Sequence, residues 1–315
     1  MSSMRYVIIS PVRNEAEYIR ATVASVAAQT IRPARWVIVD DGSSDATPSL
    51  IDEAARQHDW ITATHRQDRG RRLAGSGVMQ AFFAGLARLD TSSWQFLVKL
   101  DGDVTFDSDY FERCFARFAA EPRLGIAGGL ICNRVGGQVC AEAADDPAFH
   151  VRGATKIYRR ECWEAIGGLQ PATGWDTVDE LKANMLGWVT RTFPEIKILH
   201  HRPAGAAYGT WSNWVKNGAA NYFAGYHPLF MLAKCGRRFF QKPYAISAAG
   251  LALGYCRGYW GASPRVNDRD LIRYFRRQQF RRLLGQTSLW DVKLDGAGAV
   301  ATSPDGTRRP AANYV

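Results

Sequence analysis

The sequence predicts an α/β fold built on a mostly parallel, doubly wound sheet, and three observations carry that prediction. Short runs rich in β-branched residues alternate with helical patterns over residues 6–100. The runs are apolar throughout rather than at every second position, as in strands covered on both faces. Polar, aspartate-containing stretches begin where the runs end. Strand, helix, strand, helix is the order that lays a parallel sheet between helical layers. In such sheets ligands bind beyond the carboxyl ends of the strands, where strand order reverses, so PVRNE, DDGSSD and DGD can line one crevice.

YVIIS (6–10) is the first strand. The helix after it follows from Ile19, Val23 and Val26 at i, i+4, i+7, with Asn14 and Glu17 spaced as a capping box. WVIVD (36–40) is the second strand, followed by a helix capped by Ser44 or Asp45. ITATH (61–65) and FLVKL (96–100) are the next strands, with a helix from Val78 between them. Beyond residue 105 come a helix over 109–119, a strand over 124–131, a glycine-rich hairpin region over 133–158, a helix from Asp176 to Leu186 and a strand VTRTFPEIKIL, which together read as a mixed lobe.

From residue 206 the character changes, and aromatic and glycine-rich stretches alternate with basic clusters, as in GYHPLFMLAKCGRRFFQKPYAI. The longest uncharged apolar piece, Pro243 to Cys256, has 14 residues. A bilayer-crossing helix needs about 20, so an interfacial or re-entrant segment is the better expectation. The last 25 residues, rich in Gly, Ala, Pro and Ser, read as a loose tail.

With 46% hydrophobic and 22% charged residues the chain can bury a large core. Its six cysteines (114, 132, 140, 162, 235 and 256) form no metal-like pair, and no secretory leader precedes YVIIS, which points to a reduced, cytoplasmic setting. The formal charge is +10, but its distribution says more than its sum. From Arg202 to Arg282 there are 14 Lys or Arg against only Asp268 and Asp270, a net +12. Single-strand and helix-turn-helix signatures are lacking there, and lipid phosphates explain the arginines equally well, so an anionic membrane surface is expected and nucleic acid is not.

In LDGDV, Asp101 and Asp103 flank Gly102 at a strand end. Such carboxylates can share one hard cation, or one can hold the cation while the other accepts a ribose hydroxyl. Mg²⁺ or Mn²⁺ bound this way completes its shell with water and phosphate oxygens. Gly102 would let the turn bend and a ligand approach the backbone. A lone D-x-D is more often a solvated turn. Asp40 and Asp41 in VDDGSSDAT, suited to accept nucleobase N–H groups or ribose hydroxyls, and SPVRNE at the first strand end make coincidence a poor account. RGRRLAGSG (69–77) adds Arg69, Arg71 and Arg72, which could meet a phosphate or simply form a solvated loop.

VIISPVRNEAEYI, VIVDDGSSDAT, LDGDVTF and the later GWDTVDEL resemble, in that order across residues 4–205, the inverting family 2 glycosyltransferases of the bacterial surface-polysaccharide type, which have the GT-A fold. The resemblance implies that Pro11, Asn14 and Asp41 line the base and ribose pocket, that Asp101 lies near the ribose and diphosphate, and that Asp103 binds the metal. Arg72 is taken with the donor-binding residues. The aromatic residue of the P-x-Y-N version of the first motif is Arg13 here. The family's Glu-Asp pair before the acceptor helix stands as Val178-Asp179, followed by Glu180. The catalytic base is therefore placed on Asp179, with Glu180 as stand-in.

Trp175 could stack on a sugar face or be a buried tryptophan. In ILHHRP, relatives set a histidine against the metal or diphosphate; strand alternation packs His200 inward and leaves His201 for that role. RYFRRQQFRRLL holds Gln279 and Arg282, then Leu283, a degenerate form of the QxxRW element of processive members. By its residues alone it is a basic amphipathic helix with Ile272 and Phe275 on one face.

These readings divide the chain into a GT-A domain over 1–205 (a nucleotide-binding half, 1–105, and an acceptor half, 106–205), a basic, apolar helical extension over 206–290 that associates with membrane, and a flexible tail over 291–315. The expected activity is transfer of a sugar from a nucleotide-diphospho-sugar, a UDP-sugar in the first instance, to a hydroxyl of a lipid-linked or growing cell-surface glycan. The expected place is the cytoplasmic face of the membrane, held peripherally. A catalytically silent nucleotide-sugar-binding or membrane scaffold protein is the competing class; loss of Asp103 or Asp179 would favour it, and both are present.

Overall fold

The computed structural model describes residues 4–70, 76–89, 94–143, 146–202, 209–261 and 263–291. β1 (Tyr6–Val12) lies between β2 (Arg35–Asp40) and β4 (Phe96–Leu100), with β3 (Ile61–His65) beyond β2, and all four strands are parallel. The chain steps outward from β1 to β2 to β3 and then returns to β4 on the other side of β1. Strand order therefore reverses between β1 and β4, and the crevice lies above their carboxyl ends. Both faces are buried: Ile8, Trp36, Ile38 and Val98 pack into one core, and Val7, Ile9, Val37 and Leu97 into a second. This two-sided cover is the reason the runs are apolar at every position.

The helices α1 (Ile19–Ala27), α2 (Thr47–Gln57) and α3 (Ser76–Leu86) connect these strands. After β4 come β5 (Val104–Phe106), α4 (Tyr110–Ala120), β6 (Leu124–Val135), β7 (Gln138–Ala141), β8 (Thr155–Arg159), α5 (Arg160–Ile166), α6 (Trp175–Met185) and β9 (Val189–His200). The sheet order is β3-β2-β1-β4-β8-β6-β9-β5, with β7 paired to β6. β8 runs antiparallel between β4 and β6 and makes the sheet mixed. The expected strands and longer helices are present within a few residues of their predicted bounds; β5, β8 and α5 are additions. The capping box does not form. Asn14 adopts a left-handed φ of 55°, and its side chain reaches the loop after β2 instead of α1.

The remaining helices are α7 (Gly209–Phe223), α8 (Pro228–Phe239), α9 (Ala245–Trp260) and α10 (Arg269–Leu283). α7 and α9 meet along glycines: a Cβ at Gly254 would stand 1.9 Å from the Val215 carbonyl oxygen, and one at Gly218 2.2 Å from that of Leu251. Phe149, Val178 and Leu181 share a third core with Tyr222, Tyr226 and Phe275, so these helices are packed onto α6. Gln279 is buried, and its Oε1 accepts the His227 N–H at 2.8 Å, while Arg282 pairs with Asp291. Both members of the Q-x-x-R spacing thus hold helical segments together. Among the described residues no helix is long and apolar enough to cross a membrane. Of the expected tail, residues 292–315 lie outside the described residues.

Candidate active site

The opening D-x-D turn follows directly from β4. Gly102 is demanded by packing rather than by bending, since a Cβ there would lie 2.6 Å from Val12 Cγ1 on β1. β5 pairs with β9 so that Val104 stands opposite His200, which brings the end of β9 to the turn. One ligand atom each from Asp101, Asp103 and His200 then falls within 4.8 Å of the others. His200 Nε2 is 3.4 Å from Asp103 Oδ1, and its Nδ1 is 3.0 Å from Glu142 Oε2. The Lys99 ammonium, buried on β4, donates to Asp101 Oδ1 and to the Gly153 carbonyl. Arg202 reaches Asp103 Oδ2 at 3.3 Å and pairs with Glu15.

The electrostatics follow from crowding carboxylates beside a few cations. Burial acts to lower the His200 pKa, but its hydrogen bonds to Asp103 and Glu142 outweigh burial and raise it to about 10. Burial, then the Asp103 charge, push Glu15 up to about 7 against the pull of Arg202. Asp103 is held below the usual carboxylate range because His200 and Arg202 overcome its burial. Two carboxylates and an imidazole suit a hard-to-borderline divalent cation such as Mn²⁺ or Mg²⁺. Glu142 on Nδ1 is the outer-shell partner that orients a ligating histidine and presents its Nε2. The residues fit a metal.

The histidine in this group is His200, where the sequence reading had chosen His201. Strand alternation does turn His200 inward, as expected, but inward here means toward Asp103. His201 instead has its Nε2 2.9 Å from Thr105 Oγ1 and stacks on Tyr18 with ring centroids 5.6 Å apart.

On the β1–β2 side, the Asp41 carboxylate is buried and meets Arg66 at 2.6 Å and also Arg69. Burial raises its pKa, and the Arg69, Arg66 and Arg13 charges oppose that rise. Arg13 ties the strand-end loops together by donating to the Asp41 carbonyl at 2.6 Å and to Asp68 at 2.7 Å. Asn14 Oδ1 accepts the Ser44 N–H at 2.8 Å, and Pro11 stands opposite Val39 in the β1–β2 ladder. Pro11, Asn14 and Asp41 are thus at neighbouring strand ends. Asp40 is turned into its own loop, where it accepts the Ser43 N–H at 2.9 Å. Arg72 lies outside the described residues.

On the α6 side the geometry departs from expectation. Asp179 is buried, with Oδ1 2.9 Å and Oδ2 3.0 Å from Lys156 Nζ, and the Tyr158 hydroxyl donates to Oδ2 at 2.6 Å. Glu180 is also buried, bound to Lys156 at 2.7 Å, His150 at 2.8 Å and the Val151 N–H at 2.7 Å. An acceptor hydroxyl cannot approach a carboxylate closed in this way, which displaces the base from Asp179 and from its stand-in. The carboxylate of α6 that remains half-buried is Asp176, in the first turn. Its Oδ2 lies 3.5 Å from the position a Cβ would take on Gly153, the residue whose carbonyl shares Lys99 with Asp101. Trp175 is buried beneath it, with Lys99 and Lys156 5.7 and 5.4 Å from its ring centroid, so it is a packing residue and not a sugar platform.

Glu15, Lys99, Glu142, Lys156, Asp176 and Arg202 were not singled out from sequence. A signal existed for three of them: Glu15 closes PVRNE, Arg202 follows the two histidines, and Lys99 interrupts an otherwise apolar strand.

Comparison with known proteins bears on the family and the fold. The family model described as glycosyl transferase family 2 matches residues 7–162. A poly-beta-1,6-N-acetyl-D-glucosamine synthase of Staphylococcus aureus (strain COL) is 30% identical over 117 residues, which are 37% of this chain and 26% of that protein. The match thus spans about a quarter of the length of that relative. Among solved structures, the mannosyltransferase PcManGT from Pyrobaculum calidifontis in complex with GDP-Man and Mn²⁺ superposes with a TM-score of 0.56 at 19% identity, covering 82% of this chain and 87% of that one. S. aureus TarS 1-349 in complex with UDP-GlcNAc gives 0.51 at 16% identity, covering 90% and 80%. The fold is that of GT-A glycosyltransferases, and residues 7–162 of the chain belong to glycosyl transferase family 2.

Proposed function

We propose that this chain transfers a sugar, with inversion, from a UDP-sugar to a hydroxyl of a lipid-linked or growing cell-surface glycan, using Mn²⁺ or Mg²⁺ held by Asp101, Asp103 and His200. The observation that carries the reading is the grouping of those three residues at the turn after β4, beside the point where strand order reverses, with the half-buried Asp176 next to Gly153, whose carbonyl shares Lys99 with Asp101. UDP as the nucleotide is supported by the UDP-GlcNAc complex of TarS, and a surface glycan as product by the synthase relative.

When bound, the cation would supply positive charge beside the diphosphate. The chain's own residues do the rest. Asp41, oriented by Arg66 and Arg69, accepts from the base or ribose, while Pro11 and Asn14 line that pocket. Asp101, fixed by Lys99, lies along the ribose and diphosphate. Asp176 takes the proton of the acceptor hydroxyl as that oxygen attacks the anomeric carbon, and the bond from that carbon to the diphosphate breaks with its electron pair going to the phosphate oxygen. The protein works at the cytoplasmic face of the membrane, held there peripherally.

A thermal-shift panel of UDP-, GDP- and dTDP-sugars, each with Mn²⁺ or EDTA, tests the donor. Ligand at a hundredfold its Kd stabilises by about 2.7 kcal/mol, so UDP-sugars with Mn²⁺ should raise Tm by about 5 °C. A shift equal in EDTA contradicts the metal assignment, and a shift confined to GDP- or dTDP-sugars contradicts the donor.

A further inference from the structure

α8 packs Met231 into the third core on its inner side and carries a second apolar row on its outer side. Leu229, Leu232, Gly236 and Phe240 recur at i, i+3, i+7 and i+11, which places them on one side of the helix and its C-cap. That side faces solvent: Leu232 is 71% and Phe240 79% exposed. The opposite side holds a cation. Lys234 turns inward, 4.8 Å from the Tyr226 ring centroid and 3.4 Å from Asn221 Oδ1, and burial lowers its pKa to about 8. A helix whose outer side met only water would carry polar residues there instead of Leu229, Leu232 and Phe240.

The apolar surface continues through the connection to α9. Phe239 and Phe240 meet edge to face at 5.4 Å, and Tyr244 and Ile246 are exposed after them. Cations rim the same turn: Arg237 closes the last turn of α8, and Lys242 stands exposed in the connection. Glu195 and Asp268 are separated by 72 residues containing no carboxylate, so the segment itself contributes no side-chain anion to the rim. Exposed aromatic and aliphatic side chains beside uncompensated cations match the two layers of an anionic bilayer, acyl chains under phosphate headgroups.

We propose that the outward face of α8 and the turn to α9 insert into the headgroup region of an anionic membrane, with Leu232, Phe240, Tyr244 and Ile246 immersed and Arg237 and Lys242 at the phosphates. This rests on the peripheral-membrane part of the proposed function and gives it a specific device. The basic helix α10 is outside the device. The segment also follows α7 and α8 onto α6, so a membrane engaged by this turn holds the acceptor side of the crevice in a fixed orientation to the lipid surface.

Sedimentation of the full chain with vesicles tests the proposal. Equimolar phosphatidylglycerol and phosphatidylcholine should capture the protein, pure phosphatidylcholine should capture at least tenfold less, and high salt should release it. Leu232→Ser with Phe240→Ser should weaken capture at least tenfold, and Lys242→Gln about fivefold. Arg277→Gln on α10 should leave capture within twofold. Thermal shift with UDP-sugar and Mn²⁺, measured on each preparation, reports folding and donor binding separately, so loss of the transferase reading and loss of this one are distinguishable. The proposal is overturned if wild-type protein ignores anionic vesicles, if the double serine variant binds as well as wild type, or if ultracentrifugation shows a dimer that the double variant dissolves. That last result would mean that a second copy covers the face.

Discussion

Replacing Asp179 by asparagine should injure the fold and spare the chemistry of each folded molecule. The substitution keeps the volume and removes the charge. The buried Lys156 ammonium then loses the carboxylate charge and one of the two oxygens at 2.9 and 3.0 Å but keeps Glu180 at 2.7 Å and the Asp176 main-chain carbonyl at 2.6 Å. Breaking a buried pair by removing one partner costs about 3–5 kcal/mol. Because Glu180 still neutralises the cation, the lower end, about 3 kcal/mol, is expected here. With a urea slope of about 3 kcal/mol per molar, the midpoint falls by about 1 M. Asp176→Asn is the counterpart. Its carbonyl, not its carboxylate, holds Lys156, so stability should change by less than about 0.5 kcal/mol while kcat falls by about 10²–10⁴. Urea unfolding followed by tryptophan fluorescence, with kcat at saturating donor, reads both quantities. An Asp179→Asn protein with an unmoved midpoint and a hundredfold loss of kcat, beside an active Asp176→Asn, would refute the reassignment and restore Asp179 as the base.

The metal group gives a second expectation: calorimetry should find Mn²⁺ affinity abolished in His200→Ala, reduced by about 10-fold or more in Glu142→Gln through loss of the outer-shell bond, and unchanged in His201→Ala. Stability should also depend on pH through His150. Burial opposes its charged form, but Glu180 outweighs burial and raises its pKa from 6.5 to about 9 in the folded protein. Its contribution is therefore full below pH 6.5 and lost as pH rises through about 9; His150→Gln should flatten that part of the urea-midpoint profile relative to wild type. Finally, Gly254→Ala should lower stability by about 1–3 kcal/mol or more, since the new methyl would start 1.9 Å from the Val215 carbonyl oxygen and α7 must move to admit it.

The parallel half of the fold was legible because both faces of its strands are buried, which writes the strands as unbroken apolar runs. β8 was hidden for the opposite reason: TKIYR carries Lys156 in a fully buried position, and a buried lysine reads as a solvated one until its carboxylate partners, more than twenty residues away, are located. The same long-range pairing misdirected the base. Two adjacent acids at 179 and 180 look like an exposed catalytic pair, and nothing local shows that Lys156 and His150 consume them. His200 was assigned the correct direction by strand alternation and the wrong consequence, because alternation says which face a residue takes and not what β5 brings to that face. Asp41 and the Asp101–Asp103 pair stand just past the ends of β2 and β4, a placement that the apolar runs before them mark in the sequence.

The central claim is that the Asp101–Asp103–His200 group and Asp176 together perform metal-dependent sugar transfer. Release of UDP from UDP-sugar in the presence of a glycan acceptor tests it most directly, measured for wild type, Asp103→Asn and Asp176→Asn with Mn²⁺ or EDTA. Turnover is expected from wild type with Mn²⁺ alone, loss of Mn²⁺-dependent donor binding and turnover in Asp103→Asn, and intact donor binding with turnover down by about 10²–10⁴ in Asp176→Asn. Wild-type turnover that persists undiminished in EDTA, or an Asp176→Asn protein as fast as wild type, would contradict it.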